Sequence, residues 1–445
     1  MRTLLLAASA LALASAAPAP APQHPAPSPQ ELRATITALV GFGTRHTLST
    51  TTDPHRGIGA ARRWVASRFE SYSKACGGCL KVETPGRSFA GPRAPNGVRV
   101  EDVIAIQKGT TDPNRVVIIE GHLDSRVNDV MDATTDAPGA NDDASGVAVV
   151  LEAARILSQE KFPATIVYSA NSGEEQGLWG GELLAETAKA RGWQVAAVLN
   201  NDIVGNTHGI GGEHIDNQVR VFSEGIGLAE DLDQVRQQRA IGGEDDSPSR
   251  ALAKAVKRVA AAHPGIGLQV LAIRRPDRFQ RGGDQIPFQK MGVPAVRFSE
   301  ATEDYDRQHQ RVRVENGRHY GDVIQWVDFP YLAKVAALNI DTLRQLASAP
   351  AAPEKASIKG ALSDDTTVSW TPVPGAAGYC VYWRRADGFV WTDHRDVPGN
   401  TASLFLPHVN IDDHFFGVAA LGRQGAESLV TFAGVPPHPP IGSKK

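Results

Sequence analysis

Two kinds of hydrophobic spacing follow one another along this 445-residue chain. Up to residue 348, short continuous apolar runs alternate with segments whose apolar residues recur every three or four positions. The runs Val98–Lys108, Arg115–Ile119, Thr165–Ala170, Val195–Leu199 and Val293–Phe298 read as strands. Gln30–Val40, Gly57–Tyr72, Asp143–Leu157, Glu182–Arg191, Ser249–Ala262 and Tyr331–Leu346 read as helices. In the second of these, Ala60, Trp64, Val65 and Phe69 share one face. In the third, Asp143 or Ser145 can cap the first turn, and Val147, Val150, Leu151, Ala154 and Leu157 form the apolar stripe. Strands that are apolar throughout must be covered on both faces. The pattern therefore predicts an α/β fold with helices on either side of a sheet.

After Ala347–Pro353 the spacing changes. Thr367–Trp370, Gly378–Trp383, Ala402–Leu406 and Phe415–Leu421 are short β-type runs separated by turns. They predict a small all-β sandwich over 356–437, joined through a linker at 349–355. Val368-Ser-Trp370, Pro372, Gly378-Tyr379 and Phe416–Leu421 resemble a fibronectin type III module. No convergent set of catalytic groups is visible there, and His394, His408 and His414 read as surface or turn residues. Such a module is expected to bind a cell surface or polysaccharide, or to act as a spacer.

The N-terminus has its own logic. A basic start (Met1-Arg-Thr), an apolar run from Leu4 to Ala14 and the small-x-small site Ala14-Ser-Ala16 describe a secretory signal peptide, 1–18. A Pro/Ala-rich linker or propeptide, 19–30, follows. The apolar run is too short to span a bilayer, and no later segment is long and apolar enough. The expected location is secreted or periplasmic. In that oxidising setting Cys76-Gly-Gly-Cys79 closes a small disulfide; a zinc half-site is the rival, but no second Cys or His pair lies nearby at finger spacing. Cys380, within an apolar strand, reads as a buried free thiol. A formal net charge of −3 gives no reason to expect nucleic acid or an anionic membrane as partner.

The candidate chemistry lies at strand ends. His122 and Asp124 (Gly121-His-Leu-Asp-Ser-Arg126) follow the run ending at Ile119. Glu174-Glu175 (Ser172–Gly177) follow the run ending at Ala170, and Asp202 follows the one ending at Leu199. Asp142, in Asn141-Asp-Asp-Ala-Ser-Gly146, opens the helix after the first of these strands. Open α/β sheets bind ligands outside the carboxyl ends of their strands, so all should share one edge. Imidazole and carboxylates suit zinc. Two close metals need a shared anionic ligand, for which Asp142 in its small-residue loop is the natural candidate. Asp124 can accept the other imidazole N–H of His122. The adjacent carboxylates need different jobs: Glu175 binds metal, and Glu174 acts as general base.

These four motifs resemble peptidase family M28, the secreted zinc aminopeptidases, over 31–348. The resemblance implies a phosphorylase/hydrolase-like mixed sheet sandwiched by helices. It implies His122, Asp142, Glu175 and Asp202 as ligands of two zinc ions, Asp142 being shared, with Glu174 as base and Asp124 behind His122. It also implies a cis-type peptide at Asp142-Asp143. A fifth ligand is a late histidine, His309 before its rival His319. The chain departs from the family pattern at Arg311 and Arg313 and at Gly283-Asp284-Gln285, which puts the pocket rim in question. The implied activity is removal of N-terminal amino acids from peptides with a free N-terminus. A carboxypeptidase or dipeptidase on the same core, a single-zinc glutaminyl cyclase, and an inactive binding protein are the alternatives. Gly205–Pro248, rich in Gly and Asp, is expected to form the rim and the S1 pocket. Arg274, Arg275 and Arg278 either contact a substrate carboxylate or line the surface.

Overall fold

Val116-Val-Ile-Ile119 has no polar side to turn to water, and all four residues are fully buried. They lie in the middle of an eight-stranded sheet, seen in a computed structural model that describes residues 25–434. The leader expected at 1–18 and the first half of the 19–30 tract lie outside the described residues. The strands are β1 (Leu80–Glu83), β2 (Val103–Gln107), β3 (Asp112–His122), β4 (Ala164–Asn171), β5 (Gln194–Asn201), β6 (Gln218–Phe222), β7 (Gln269–Ile273) and β8 (Ala295–Glu300). Their order across the sheet is β1-β2-β4-β3-β5-β8-β6-β7. The central four, β4, β3, β5 and β8, run parallel, while β2 joins β4 and β6 joins β8 antiparallel.

Alternate residues of each central strand face opposite helical layers. Val117, Ile119, Leu199 and Phe298 join a core built with the helices Pro29–Val40, Gly57–Ala75, Ala144–Leu157, Pro248–Ala262 and Phe329–Ser348. Val116, Ile118 and Val198 pack against Leu184 and Ala188 of Trp179–Ala190, and against Phe288. Both faces are thus covered, as the apolar runs require.

One expected strand is two elements. Val98–Lys108 breaks at Asp102: Ala94–Glu101 pairs with Gly86–Gly91 in a separate hairpin, and only Val103–Gln107 enters the main sheet. Asp102 is fully buried and accepts the Ser172 N–H at 2.9 Å, a tertiary contact that hydrophobic spacing does not encode. The 205–248 stretch is also more regular than its composition suggests. It holds β6 and the helix Leu232–Ala240, which is closed at its N-terminus by a capping box between Asp231 and Gln234.

Two glycines set how closely the central layers approach. A Cβ on Gly146, in the first turn of Ala144–Leu157, would lie 2.1 Å from the carbonyl oxygen of Asn201. One on Gly121 would lie 2.7 Å from the backbone of Gly146. Only hydrogen fits there, so the ends of β3 and β5 meet the helix start directly.

Residues 356–434 form a second core from a three-stranded and a four-stranded antiparallel sheet. Trp370, Tyr379, Val381, Phe416 and Val418 fill it. The sandwich is docked on the larger part. Asp246 receives both Lys254, at 2.5 Å, and the sandwich residue Arg384, and all three are almost wholly buried. Arg258 and Tyr382 share Glu427 at 2.9 and 2.8 Å. The linker is gripped too: Arg115 donates to the carbonyls of Leu346 and Ala349 at 3.0 and 2.5 Å. Cys76 and Cys79 are joined in a disulfide, and Cys380 is a buried free thiol. Cys380, His394 and Asp396 do converge on the sandwich, but His394 and Asp396 are exposed.

Candidate metal centre

The ends of β3, β4 and β5 deliver the sequence-selected residues to one cleft. His122 is the last residue of β3, Glu174 and Glu175 start a single helical turn three residues after β4, and Asp202 follows β5 directly. Asp142 comes from the loop that precedes Ala144–Leu157, and the Asp142-Asp143 peptide bond is cis. His309 arrives from a turn after β8, in the left-handed region at φ 51°, which a non-glycine residue adopts only when its surroundings hold it there. His319 lies elsewhere, on a small hairpin against Trp326.

The geometry is organised around Asp142. Its Oδ1 lies 3.1 Å from His122 Nε2, and its Oδ2 lies 2.8 Å from His309 Nε2. Asp202 Oδ1 is 3.8 Å from His122 Nε2, and Glu175 Oε1 is 2.9 Å from His309 Nε2. Two clusters result, His122–Glu174–Asp202 and Asp142–Glu175–His309, each with ligand-type atoms within 4.8 Å of one another. One carboxylate thus faces both imidazoles.

Asp124 holds the site by a different set of bonds from the one expected. The near partner of His122 Nδ1 is the backbone oxygen of Asp124, at 3.0 Å, while the carboxylate stands 3.7 Å away. That carboxylate accepts the backbone N–H groups of Glu174 and Glu175 at 3.2 and 3.1 Å, and the Thr47 hydroxyl at 2.7 Å. It therefore fixes the backbone of the glutamate pair relative to β3. Asp143 does the same for the other side, accepting N–H groups of His122 and Gly146, both at 2.9 Å.

The adjacent glutamates are pushed in opposite directions. Burial drives the Glu174 carboxyl well above the usual range; His122 opposes this, and Glu175 and Asp202 reinforce it. Glu175 is drawn below its ordinary value, because His309 and Arg126 outweigh burial and the repulsion from Asp142. Divergent carboxyls side by side suit an acid–base group and a permanently charged ligand.

Three contributors were not singled out from sequence. Arg297 on β8 is wholly buried and donates to Asp202 Oδ1 at 2.7 Å. Arg126 donates to Glu175 Oε2 at 2.6 Å and sits 2.6 Å from His309 Nδ1. Asp322 accepts the N–H groups of Asn141 and Asp142 at 2.9 and 2.7 Å. Arg126 closes the very motif that contains His122 and Asp124, so it was within reach; nothing local marks Arg297 or Asp322.

The residues fit a divalent metal. Four carboxylates and two imidazoles meet in this cleft, and two guanidiniums, Arg126 and Arg297, pair directly with the carboxylates of Glu175 and Asp202. Glu175 Oε1 is buried with only the His309 ring nitrogen beside it, and Glu175 and Asp142 raise His309 to about 10 against the effect of burial. A buried site that must protonate its own imidazoles to balance charge is one that a cation would satisfy.

Comparison with known proteins identifies relatives of this chain. Residues 102–320 match the model of peptidase family M28. A probable zinc metalloprotease of Pyricularia oryzae is 42% identical over 410 residues, covering 90% of this chain and 81% of its own length. Another, from Pyrenophora tritici-repentis, is 42% identical over 409 residues, covering 91% and 84%. Among solved structures, the LapA aminopeptidase of Legionella pneumophila aligns with a TM-score of 0.51 at 16% identity over 72% of each chain. An aminopeptidase from Aneurinibacillus sp. strain AM-1 gives 0.51 at 16% identity, over 72% of this chain and 94% of that one. These two show a shared fold. The chain belongs to peptidase family M28.

Proposed function

We propose that this protein is a secreted, zinc-dependent aminopeptidase that removes N-terminal residues from peptides. The observation that carries the reading is the carboxylate of Asp142, which turns one oxygen to each of two imidazoles. His122 and Asp202 would hold one zinc ion, Glu175 and His309 a second, and Asp142 both. When bound, zinc supplies Lewis-acid polarisation of the peptide carbonyl and lowers the pKa of a water. Glu174 accepts a proton from the attacking water and returns it to the leaving amine; its raised proton affinity suits both steps. Asp124 keeps Glu174 and Glu175 in register through their backbone N–H groups. The 1–18 leader accounts for export, and the fibronectin type III-like sandwich is offered as a surface- or polysaccharide-binding module.

The test is hydrolysis of aminoacyl p-nitroanilides. Activity should vanish with a chelator and return with Zn²⁺, at about two zinc ions per chain. Glu174→Gln should lose about 10²- to 10⁴-fold in kcat with metal content unchanged. Normal turnover in Glu174→Gln would sink the mechanism. Cleavage of N-blocked peptides alone would sink the aminopeptidase reading and leave the metal centre.

A further inference from the structure

The loop after β7 carries Arg274, Arg275, Arg278 and Arg281 within eight positions. With Arg220 of β6 they line a cavity of about 500 Å³. Arg278 and Arg281 line the metal cleft as well, so the two spaces meet at these side chains.

Positive charge here exceeds what the protein supplies to balance it. The cavity contains two acids, Asp277 and Glu303. Asp277 is committed to the buried Arg297, at 3.2 Å, to Gln285, at 2.9 Å, and to Arg278, at 3.2 Å. Glu303 already accepts Arg220 at 2.5 Å and Gln308 at 2.9 Å; Arg278 and Arg281 reach it only at 3.3 and 3.4 Å. Arg274 leans outward to Asp245 at 3.2 Å. Arg275 has no carboxylate partner among the described residues; its guanidinium lies over the exposed ring of Phe279. The mouth therefore offers guanidinium donors with unused capacity beside an apolar ring. That suits a planar anion on a short aliphatic stem.

We propose that this arginine-lined cavity is a subsite for a carboxylate of the peptide substrate, next to the metal cleft. The proposal rests on the peptidase reading and adds a substrate class to it: peptides that carry an anionic group close to the scissile bond. The carboxylate can come from an acidic side chain or from the C-terminus of a short peptide. Arg281, exposed at the junction, and Arg275, exposed at the rim, are its main donors.

Four matched peptides separate the sources: Leu-Ala-Ala-amide, Leu-Ala-Ala with a free C-terminus, Glu-Ala-Ala-amide and Leu-Glu-Ala-amide. At least one anionic peptide should exceed the neutral one by about tenfold in kcat/KM, the gain of one charge-assisted contact, and its identity names the source. The anionic-to-neutral ratio should fall towards one in Arg281→Ala and Arg275→Ala, and should shrink with added salt. A binding measurement free of catalysis accompanies it: calorimetry with glutarate and with its neutral diamide on chelator-treated protein. Glutarate should bind about tenfold tighter, and this margin should disappear in Arg281→Ala. Equal binding of the two, together with no anionic preference among the peptides, overturns the proposal, as does a preference that survives both substitutions. Selective glutarate binding in a protein that cleaves none of the peptides overturns the peptidase reading and upholds the subsite.

Discussion

Replacing Asp246 by alanine tests how firmly the sandwich is joined to the peptidase part. Among the described residues Asp246 is the only acid in contact with Arg384, and it also receives Lys254; the exposed fractions of the two cationic side chains are 1% and 2%. Removing one partner of a buried ion pair leaves charge without compensation and costs about 3–5 kcal/mol. The two cations respond differently. Burial already lowers Lys254 to about 8, with Asp246 pulling it back up, so without Asp246 it sheds its proton near neutral pH. Arg384 cannot do so, and its desolvation remains. Asp246→Ala should therefore lose about 3–5 kcal/mol at pH 6 to 7, read by urea unfolding followed through both parts of the chain. The sign with pH is fixed. A lysine depressed in the folded state binds fewer protons there than in the unfolded chain, so stability rises with pH above its folded pKa. That rise begins at lower pH in the variant than in the wild type, and the gap narrows as pH climbs towards 8. The triple variant Asp246→Leu, Lys254→Met, Arg384→Met should recover most of the loss, because apolar replacement of a whole buried cluster is often neutral. A single-variant cost under about 1 kcal/mol, or a triple variant as unstable as the single, would refute this account.

Two further outcomes follow from the structure. Burial raises Glu224 to about 7, so its folded form keeps a proton that the unfolded chain gives up from about pH 4.5; stability falls as pH rises between those values. Glu224→Gln should be indistinguishable from wild type near pH 4 and more stable by about 3 kcal/mol at pH 8 in thermal or urea melts, and a difference independent of pH would contradict the assignment. Arg297→Met strips Asp202 of its 2.7 Å donor. Zinc affinity, measured by competition with a chromophoric chelator, should drop about 10- to 100-fold, and an unchanged affinity would remove Arg297 from any role in orienting that ligand.

Much of this site was legible because strand ends announce themselves. A continuous apolar run followed at once by His122, Glu174 or Asp202 carries both the element and its carboxyl end. The βα connection then places Asp142 at the same edge. What escaped lies where long-range contacts decide. β6 and β7 are short strands at the end of the sheet, with weaker apolar signals than the central four. Val98–Lys108 reads as continuous because Asp102 is buried by a bond to Ser172, some seventy residues away in sequence. Arg297 lies inside the apolar run Val293–Phe298, and nothing local marks it; its partners Asp202 and Asp277 are brought beside it only by the folded sheet. Asp124 does more than its place behind His122 suggested. Its nearness to His122 in sequence suggested a side-chain bond to the ring, whereas the backbone oxygen reaches Nδ1 first and frees the carboxylate for the glutamate turn.

The gripped linker changes what the sandwich can do for the enzyme. A tethered module sweeps a volume set by its linker, and concentrates catalysis loosely around whatever it binds. Here Arg115 clamps the linker's start, and Asp246 and Glu427 pin the sandwich itself, so linker flexibility adds no reach. A ligand seated on the sandwich would be presented at one distance and one angle to the metal cleft. If the sandwich binds part of a substrate, such an arrangement would favour substrates whose two ends have a fixed span, making the second core a ruler for the first.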